Sequence, residues 1–577
     1  MVDVKGPSSN RVEEVSRRNP ALLAVSPIGK GFDSTNSPGR VRVLFGSETG
    51  NAQRVAERLA AEAVQRGLDV QCSRMNDVAP TDLGDGAALL VVTSTTDEGD
   101  VPYNAERFWS SITVDSAPRL EGVRFAVLAL GDSDYFDFCQ AGIDIDDRLA
   151  SLGASRLRPL LMCDVDFETE ASKWTHAILE KVAGPLGPFS TPRTTVRPAE
   201  PSEIRVDDPR FEPARTCLLT VDEIRKISGT EALKDVWHLR LAIEGTSLEY
   251  SAGDSLRIAP RNDPTYVEAF LSSFDAAGDA KVRDQSLRDR LLSQYEIARP
   301  SRELVDEVAN RTENLAIRKM LDARDRDALH QFLWSRDILD IISLADREPF
   351  KLEEVLTLLR PLSHRSYSIA SSPLTSPDHI DITVAALRYR VRGRDRGGVG
   401  STFLADRVSK GDKIEGFVDR NERFRPPADG DRPMIMVGPG TGVAPFRAFL
   451  QERRARGAGG RNWLFFGART RRHDYLYEGE LSAMERDRLL TRLDVAFSRD
   501  EEAVYVQHRM REHGAQLFQW LQEGANFYVC GDAARMAGDV DATLRQIVAE
   551  HGRLSADEAA AYIDELSRNS RYLRDVY

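Results

Sequence analysis

Ser47-Glu48-Thr49-Gly50-Asn51-Ala52 follows a short apolar run, Val41 to Phe45, and precedes a helical pattern reaching about Arg66. In that setting backbone N–H groups and the Ser47 and Thr49 hydroxyls can surround one phosphate at the positive end of a helix. The spacing differs from the G-x-x-x-x-G-K of an ATP loop and lacks its lysine, which favours a tightly held monophosphate over a transferable one. A capped turn is the plain alternative for this segment taken alone. Two further loops, Ser94 to Asp100 and Leu130 to Cys139, each follow an apolar run, so all three belong on the carboxyl edge of one sheet. Arg365-Ser366-Tyr367-Ser368 sets a guanidinium, a phenol ring and a hydroxyl on an expected strand, with Arg365 and Tyr367 on one side by the period of two. A forked cation suits a pyrophosphate, and the ring suits a flat heterocycle. Gly438-Pro439-Gly440-Thr441-Gly442-Val443-Ala444-Pro445 follows the run Met434 to Val437 and opens a helix at Phe446, where glycines admit a dinucleotide close to the backbone. Ser498-Arg499, Tyr505-Val506-Gln507 and Cys530-Gly531-Asp532 are each expected on or just after a strand of the same stretch.

These loops need elements to hold them. Val55, Leu59 and Ala63 recur at helix spacing, and the runs Ala87 to Val92 and Phe125 to Leu130 sit between helical patterns, the rhythm of a doubly wound parallel sheet over residues 41–183. Residues 1–40 carry no periodicity and read as a disordered leader. Seven prolines between Gly184 and Pro213 make residues 184–213 a linker or wrapping segment. In residues 214–432, Leu239, Leu241 and Ile243 alternate with His238, Arg240 and Ala242, and Ile380 to Val384 alternates likewise, so antiparallel strands and a barrel are expected. A helical, charge-rich insertion interrupts it over about 262–360. Residues 433–577 return to α/β, with strands expected at Met434 to Val437, Trp463 to Phe466, Leu493 to Phe497 and Phe527 to Cys530.

A chain of 577 residues is long enough for about four folding units. With 29% charged and 41% hydrophobic residues it has the balance of a globular protein. Lys and Arg number 78 against 91 Asp and Glu; the net charge of −13 opposes nucleic acid and anionic lipid and suits a partner with a basic surface. The five cysteines are scattered without C-x-x-C spacing, so no zinc or iron–sulfur site is expected and a reducing, cytoplasmic setting fits. Ser16-Arg17-Arg18 invites an export reading, but the apolar stretch after it spans only Ala21 to Val25. No run of apolar residues is long enough for a transmembrane helix.

The three N-terminal loops resemble the FMN site of flavodoxins. That resemblance implies phosphate binding by Ser47, Glu48, Thr49, Gly50, Asn51 and Ala52 and a stacking role for Tyr135. It also implies contacts to the ring edge from Ser94, Thr95 and Thr96 and from Leu130, Gly131, Asp132, Ser133, Phe138 and Cys139. Asp97 stands where such families usually carry glycine and Thr96 where many carry an aromatic residue, which implies a more open flavin face. Arg365 to Ser372 looks like the R-x-Y-S segment of ferredoxin reductase-type FAD domains. By that likeness Thr383, Val384, Ala385 and Tyr389 join Arg365, Ser366, Tyr367 and Ser368 around FAD, and backbone donors of Gly398, Val399, Gly400 and Ser401 hold its pyrophosphate. The last stretch is similar to the NADP domain of the same family, which implies Gly440, Thr441, Tyr505, Val506, Gln507 and Asp539 as NADP contacts and Ser498 with Arg499 as the grip on the 2′-phosphate. Ala503 stands where a lysine is common, implying weaker discrimination against NADH. Cys530 and Asp575 are implied beside the nicotinamide, tuning hydride transfer through polarity, with the Ser368 hydroxyl hydrogen-bonded to the flavin's reactive ring nitrogen and Tyr577 as a ring stacked on the flavin. Tyr577→Ala is therefore expected to relax the preference for NADPH, which turnover with NADPH and NADH checks.

The order of these parts over residues 41–577 resembles the diflavin reductases. The likeness implies an oxidoreductase in which NADPH gives two electrons at once, FAD splits the pair, and FMN passes single electrons to a metal centre on another protein. Within that family Arg365 to Ser372, Asn462 to Gly467 and the ending Arg574-Asp575-Val576-Tyr577 are nearest to the assimilatory sulfite-reductase branch, whose partner is a sirohaem and iron–sulfur hemoprotein. A donor to nitrate reductase or to a haem monooxygenase is the alternative, because acceptor choice lies on the FMN-domain surface. A flavin-free scaffold that binds an acceptor enzyme is the alternative of another class.

Overall fold

A computed structural model of the chain describes residues 40–47, 50–84, 86–96, 99–114, 116–132, 137–164, 167–183, 216–282, 285–322, 326–334, 336–391, 393–532 and 536–576. The whole of the expected linker, and all of the expected leader but Arg40, lie outside them. Short apolar strands must be covered on both faces, and the first module does this with a parallel sheet of β1 (Arg40–Gly46), β2 (Asp69–Arg74), β3 (Ala88–Ser94) and β4 (Arg124–Leu130) in the order β2-β1-β3-β4. Short pairings at Ser155–Arg156 and Leu161–Cys163 extend the β4 side. Helix α1 (Asn51–Gln65) buries Ala52, Val55, Ala56, Leu59 and Ala63 on one face, where α4 (Glu168–Ala183) joins it. Helices α2 (Glu106–Thr113) and α3 (Gln140–Ser151) cover the other. This is the flavodoxin-like doubly wound arrangement.

The second module is antiparallel: β5 (Cys217–Lys226), β6 (Val236–Ala242), β7 (Ser255–Ile258), β8 (Arg365–Ser368), β9 (His379–Ala385) and β10 (Lys413–Asp419) run in the order β8-β7-β10-β5-β6-β9. A bridge between Ile369 and Ile382 joins the two end strands and closes a barrel around Leu219, Leu239, Leu241, Leu256, Ile380 and Ile382. Helices between Pro264 and Leu358 form their own apolar core around Phe270, Leu291, Val305 and Ile341. A short helix, α5 (Val399–Asp406), returns the chain to β10.

The alternation in β6 predicts an outward polar face carrying His238 and Arg240, and the structure covers that face instead. His238 is only 1% exposed, its Nδ1 3.0 Å from Tyr477 Oη of the third module, and burial pulls its pKa down to about 4. Arg240 makes two bonds to buried Asp381 at 2.8 and 3.1 Å, and Arg447 reaches the same carboxylate at 3.0 Å. An ionic network therefore lies where periodicity alone reads solvent.

The third module is a parallel sheet of β11 (Met434–Val437), β12 (Asn462–Ala468), β13 (Arg492–Phe497), β14 (Asn526–Gly531) and β15 (Tyr572–Val576) in the order β13-β12-β11-β14-β15. Four of these correspond to the apolar runs. The fifth is the chain's last segment, drawn into the sheet by pairing with β14, although only Tyr572 of it is fully buried. The helix after the glycine loop, α6 (Ala444–Ala455), starts two residues before Phe446 because a 3-10 turn, Gly440–Val443, leads directly into it with Pro445 in its first turn. Helix α7 (Val506–Glu512) packs below β13, while α8 (Gly538–Gly552) and α9 (Ala556–Arg568) precede β15. Gly39–Tyr577 is one compact unit, and among the described residues no helix is long and apolar enough to cross a membrane.

Candidate functional site

The loops at the strand ends of the first module and the mouth of the barrel enclose one cavity of about 750 Å³. Its first wall comes from Asn51, Ser94, Thr95, Thr96, Leu130 and Gly131, together with Asp132, Phe138 and Cys139. Its second wall is Arg257, Ser366, Tyr367, Ser368, Thr383 and Ala385, and its third is Thr441, Ala444, Arg574 and Asp575. Residues more than 400 positions apart in the chain thus face one space.

In the first wall, Gly50 adopts φ 97°, and its N–H donates to Ser47 Oγ at 3.0 Å, folding the loop onto the start of α1. Ser47 N–H donates in turn to Asn104 Oδ1 at 2.7 Å. A Cβ at Gly50 would lie 2.7 Å from Arg423 Cδ, so a side chain of the barrel module closes over this loop. Ala52 is wholly buried in the α1 core and offers only backbone. The helix has no acidic residue in its first turn, as an anion site requires. Buried Ser94 Oγ has no hydrogen-bond partner among the described residues, which fits a polar ring edge. Thr96 folds its loop back through N–H and Oγ1 bonds to Asp100 O at 2.9 and 3.2 Å. Cys139 caps α3 in the left-handed region, and burial drives its thiol upward. Glu48, Thr49, Asp97, Ser133 and Tyr135 lie outside the described residues, as does Tyr577 at the chain's end.

In the second wall, alternation along β8 separates two tasks. Arg365 is bonded to Ser363 Oγ at 2.8 Å and to Glu296 Oε2 at 3.0 Å, the latter carboxylate being 1% exposed, and sits beside Tyr367. The start of α5 packs on both: a Cβ at Gly400 would lie 2.6 Å from Arg365 Cγ and 2.8 Å from Tyr367 Oη. Gly398, Val399, Gly400 and Ser401 therefore bring a helix N-terminus to the expected pyrophosphate residues, with Ser401 Oγ accepting from Leu387 N–H at 3.1 Å. The Thr383 to Ala385 segment divides: Thr383 and Ala385 line the cavity, whereas Val384 is buried inside the barrel and Thr383 Oγ1 lies 2.7 Å from Tyr477 Oη. Tyr389 stands half-exposed on a hairpin outside the cavity lining.

The third wall holds a perturbed carboxylate. Asp575 on β15 is half-buried in the cavity wall; Ser368 Oγ donates to its Oδ2 at 3.1 Å and Cys530 Sγ lies 3.8 Å from the same oxygen. Burial, helped by nearby Asp419, raises its pKa to about 6 despite these two donors. Burial beside that carboxylate drives the Cys530 thiol well above its ordinary value, so the sulfur, buried behind the cavity lining, is neutral and polarizable and not a nucleophile. A Cβ at Gly442 would lie 2.1 Å from Cys530 O, so only glycine lets the loop come this near. Gly440 and Thr441 lie in that 3-10 turn, and Thr441 reaches the cavity.

Away from the cavity, Ser498 donates through its N–H to Ala468 O at 3.0 Å, and Arg499 through its N–H to Arg469 O at 2.7 Å. Arg499 shares a groove with Arg471 and Arg509. The two added arginines were not evident in the sequence, because they come from segments on either side of β13 and only the fold clusters them. Tyr505 caps α7 instead of following a strand; Val506 is buried in the core, and Gln507 Nε2 donates to Asp539 Oδ2 at 3.2 Å. Arg257 is among the cavity residues that sequence reading passed over. It is the polar member of the alternating β7, bonded to Asp419 at 2.8 Å.

Comparison with known proteins accords with this division. The family model described as Flavodoxin matches residues 43–174, that of the FAD binding domain matches 209–322 and 299–403, and that of the Oxidoreductase NAD-binding domain matches 436–542. The chain is 41% identical over 548 residues to the sulfite reductase [NADPH] flavoprotein alpha-component of Bacillus subtilis (strain 168), covering 93% of this chain and 89% of that protein. It is 37% identical over 564 residues to the protein of the same name from Vibrio cholerae (96% and 90%), and 36% over 568 residues to that of Escherichia coli O9:H4 (98% and 93%).

Proposed function

Because the chain belongs to the family of sulfite reductase [NADPH] flavoprotein alpha-components, a branch of the diflavin reductases, we propose that it carries electrons from NADPH through FAD and FMN to a sulfite reductase hemoprotein partner for assimilatory reduction of sulfite to sulfide. The observation that supports it most directly is the single cavity joining the FMN-type loops to the Ser368–Asp575–Cys530 cluster. An alpha-component has a beta-component, and we assign that partner a sirohaem and an iron–sulfur centre; the reaction belongs in the cytoplasm, where NADPH is made. The module limits we propose are 41–183, 214–432 and 433–577.

When bound, the two flavins supply the conversion of a two-electron hydride donor into single-electron steps. The chain's own residues do the rest. The Ser47 to Ala52 loop holds a phosphate at the start of α1, and Arg365, Tyr367 and the first turn of α5 hold a pyrophosphate and a ring. Ser368 donates its proton to Asp575 Oδ2 and keeps that carboxylate aimed at the cavity, while Cys530 excludes water beside it. Arg499, with Arg471 and Arg509 near it, supplies the forked cations that a 2′-phosphate needs, in a groove that Asp500, Glu501 and Glu502 also line. Arg499→Ala is expected to raise KM for NADPH about tenfold or more and to leave that for NADH nearly unchanged. Steady-state comparison of the two nucleotides checks this, and an unchanged ratio removes Arg499 from the assignment.

The reading is tested by the flavin content and spectrum of the purified protein, followed by anaerobic titration with NADPH and NADH. FMN and FAD in equal amounts, bleached faster by NADPH, followed by sulfide formation when a sulfite reductase hemoprotein is added, is the expected result. A protein lacking either flavin, or one that reduces no added hemoprotein, refutes it.

A further inference from the structure

Tyr103 opens the 3-10 turn Tyr103–Ala105 at the rim of the cavity, and its ring is gripped by the third module. The Arg545 guanidinium lies 5.5 Å from the ring centroid and donates to Tyr103 Oη, and Arg574 lies over the same ring at 5.2 Å. Tyr572 meets it edge-on at 6.4 Å. The receiving side is built in advance, since Asp541 accepts from Arg545 Nε at 2.7 Å and from Tyr572 Oη at 3.0 Å. The delivering side is equally tied: Asn76 donates to Tyr103 O at 3.0 Å, and the next residue, Asn104, accepts from Ser47 of the phosphate loop. Around this contact Arg74 donates to Ser567 O at 3.2 Å, and Arg107 lies 3.9 Å from Asp564. Strand β15 thus serves two neighbours. Tyr572 and Arg574 meet Tyr103, while Asp575 meets Ser368 and Cys530.

We propose that Tyr103 is a positioning residue for electron passage from FAD to FMN: clasped by Arg545 and Arg574, it latches the first module onto β15 so that both flavins face one cavity. The proposal rests on the two flavin sites assigned above. No bond forms or breaks at the latch, and each electron that reduced FAD loses is the one that FMN gains. Three separate contacts on one ring, each from a different residue of the third module, distinguish this from an ordinary buried tyrosine. The surrounding ion pair, at 3.9 Å and largely exposed on the Arg107 side, contributes little orientation of its own.

The test uses the full-chain holoprotein with Tyr103→Ala, Tyr103→Phe and Arg545→Ala, the last in the third module and not itself part of the phosphate loop. After mixing with a single equivalent of NADPH, a first bleaching phase reports hydride arrival and a second reports redistribution between the flavins. In both alanine variants the second phase is expected to slow about tenfold with the first unchanged. FMN content should stay at wild-type level, and the radius of gyration from small-angle scattering should increase. Tyr103→Phe keeps both cation contacts and is expected to slow that phase less than about threefold. Wild-type second phases and radii in both alanine variants overturn the proposal. So does equal slowing of both phases, which marks damage to the hydride site, or loss of FMN from Arg545→Ala, which marks cofactor retention as the role. Failure of the underlying reading looks different, because wild-type protein without FMN shows no second phase at all.

Discussion

Asp575→Asn slows reduction of the bound FAD by NADPH about a hundredfold and at the same time makes the protein more stable above neutral pH. Departure of hydride leaves a positive charge on the nicotinamide ring, and a fixed carboxylate in a dry wall stabilises that charge far more than it would in water. Burial holds Asp575 at about 6, so the useful ionised form is lost as pH falls through that value. The hydride-transfer rate of the unaltered protein is therefore expected to rise as pH increases through about 6, and that of Asp575→Asn to be flat there. Stability moves the other way. A native pKa raised above the unfolded value of about 4 stabilises fully below pH 4 and loses that contribution as pH rises through about 6, a difference on the order of 3 kcal/mol. Asparagine keeps the Ser368 bond without the buried charge, so denaturant unfolding should favour the variant at about pH 8 and scarcely distinguish the two proteins near pH 4. Rapid-mixing measurements of flavin bleaching across this range decide the kinetic half. A rate unaffected by Asp575→Asn sinks the role given to the carboxylate.

Gly50→Val empties the FMN site to below about a tenth of normal occupancy while FAD and its reduction by NADPH survive. Gly50 sits at φ 97°, a conformation that a β-branched residue adopts only with strain, and its missing Cβ leaves the space that Arg423 Cδ approaches to 2.7 Å. Relaxing either conflict pulls the Gly50 N–H off Ser47 Oγ and opens the loop at the start of α1. Because the FAD and nucleotide walls belong to other modules, NADPH should still bleach FAD at close to the normal rate. Delivery of electrons to an added hemoprotein should fall with FMN content, and supplied FMN should restore little of it. Flavin analysis after gel filtration gives the answer; full FMN retention removes Gly50 from the phosphate site.

Much of this protein is legible in single segments. The buried strands β1, β3 and β4 announce themselves as apolar runs because a doubly covered parallel strand has no polar face to display. The loops beginning at Ser47 and Gly438 are visible because backbone that approaches a phosphate or another strand demands glycine and small hydroxyls at fixed spacing. Arg365 to Ser368 is readable for the same reason: the function is packed into four neighbouring residues on one strand. Val384 marks the limit of this, since periodicity identifies an alternating strand without telling which parity lines the barrel and which the cavity.

What neighbouring residues do not contain is which element covers which face. His238 sits on the polar side of an alternating strand until Tyr477 and Arg447 are laid over β6, and the last five strand residues, outside the four expected strands, join the sheet only because β14 offers them an edge. Ser368 and Asp575 are 207 positions apart, so their bond, the exclusion of water around them and the rise of the carboxylate to about 6 exist only once barrel and sheet meet. The clasp of Tyr103 by Arg545 and Arg574 is of the same kind. Local sequence determined the strands and the phosphate-binding loops, because backbone geometry and hydrophobic periodicity act over a few residues, and the likeness to diflavin reductases attached the three ligand types to them. Desolvation and the meeting of distant charges depend on what is packed above a group, and only the tertiary structure decided that.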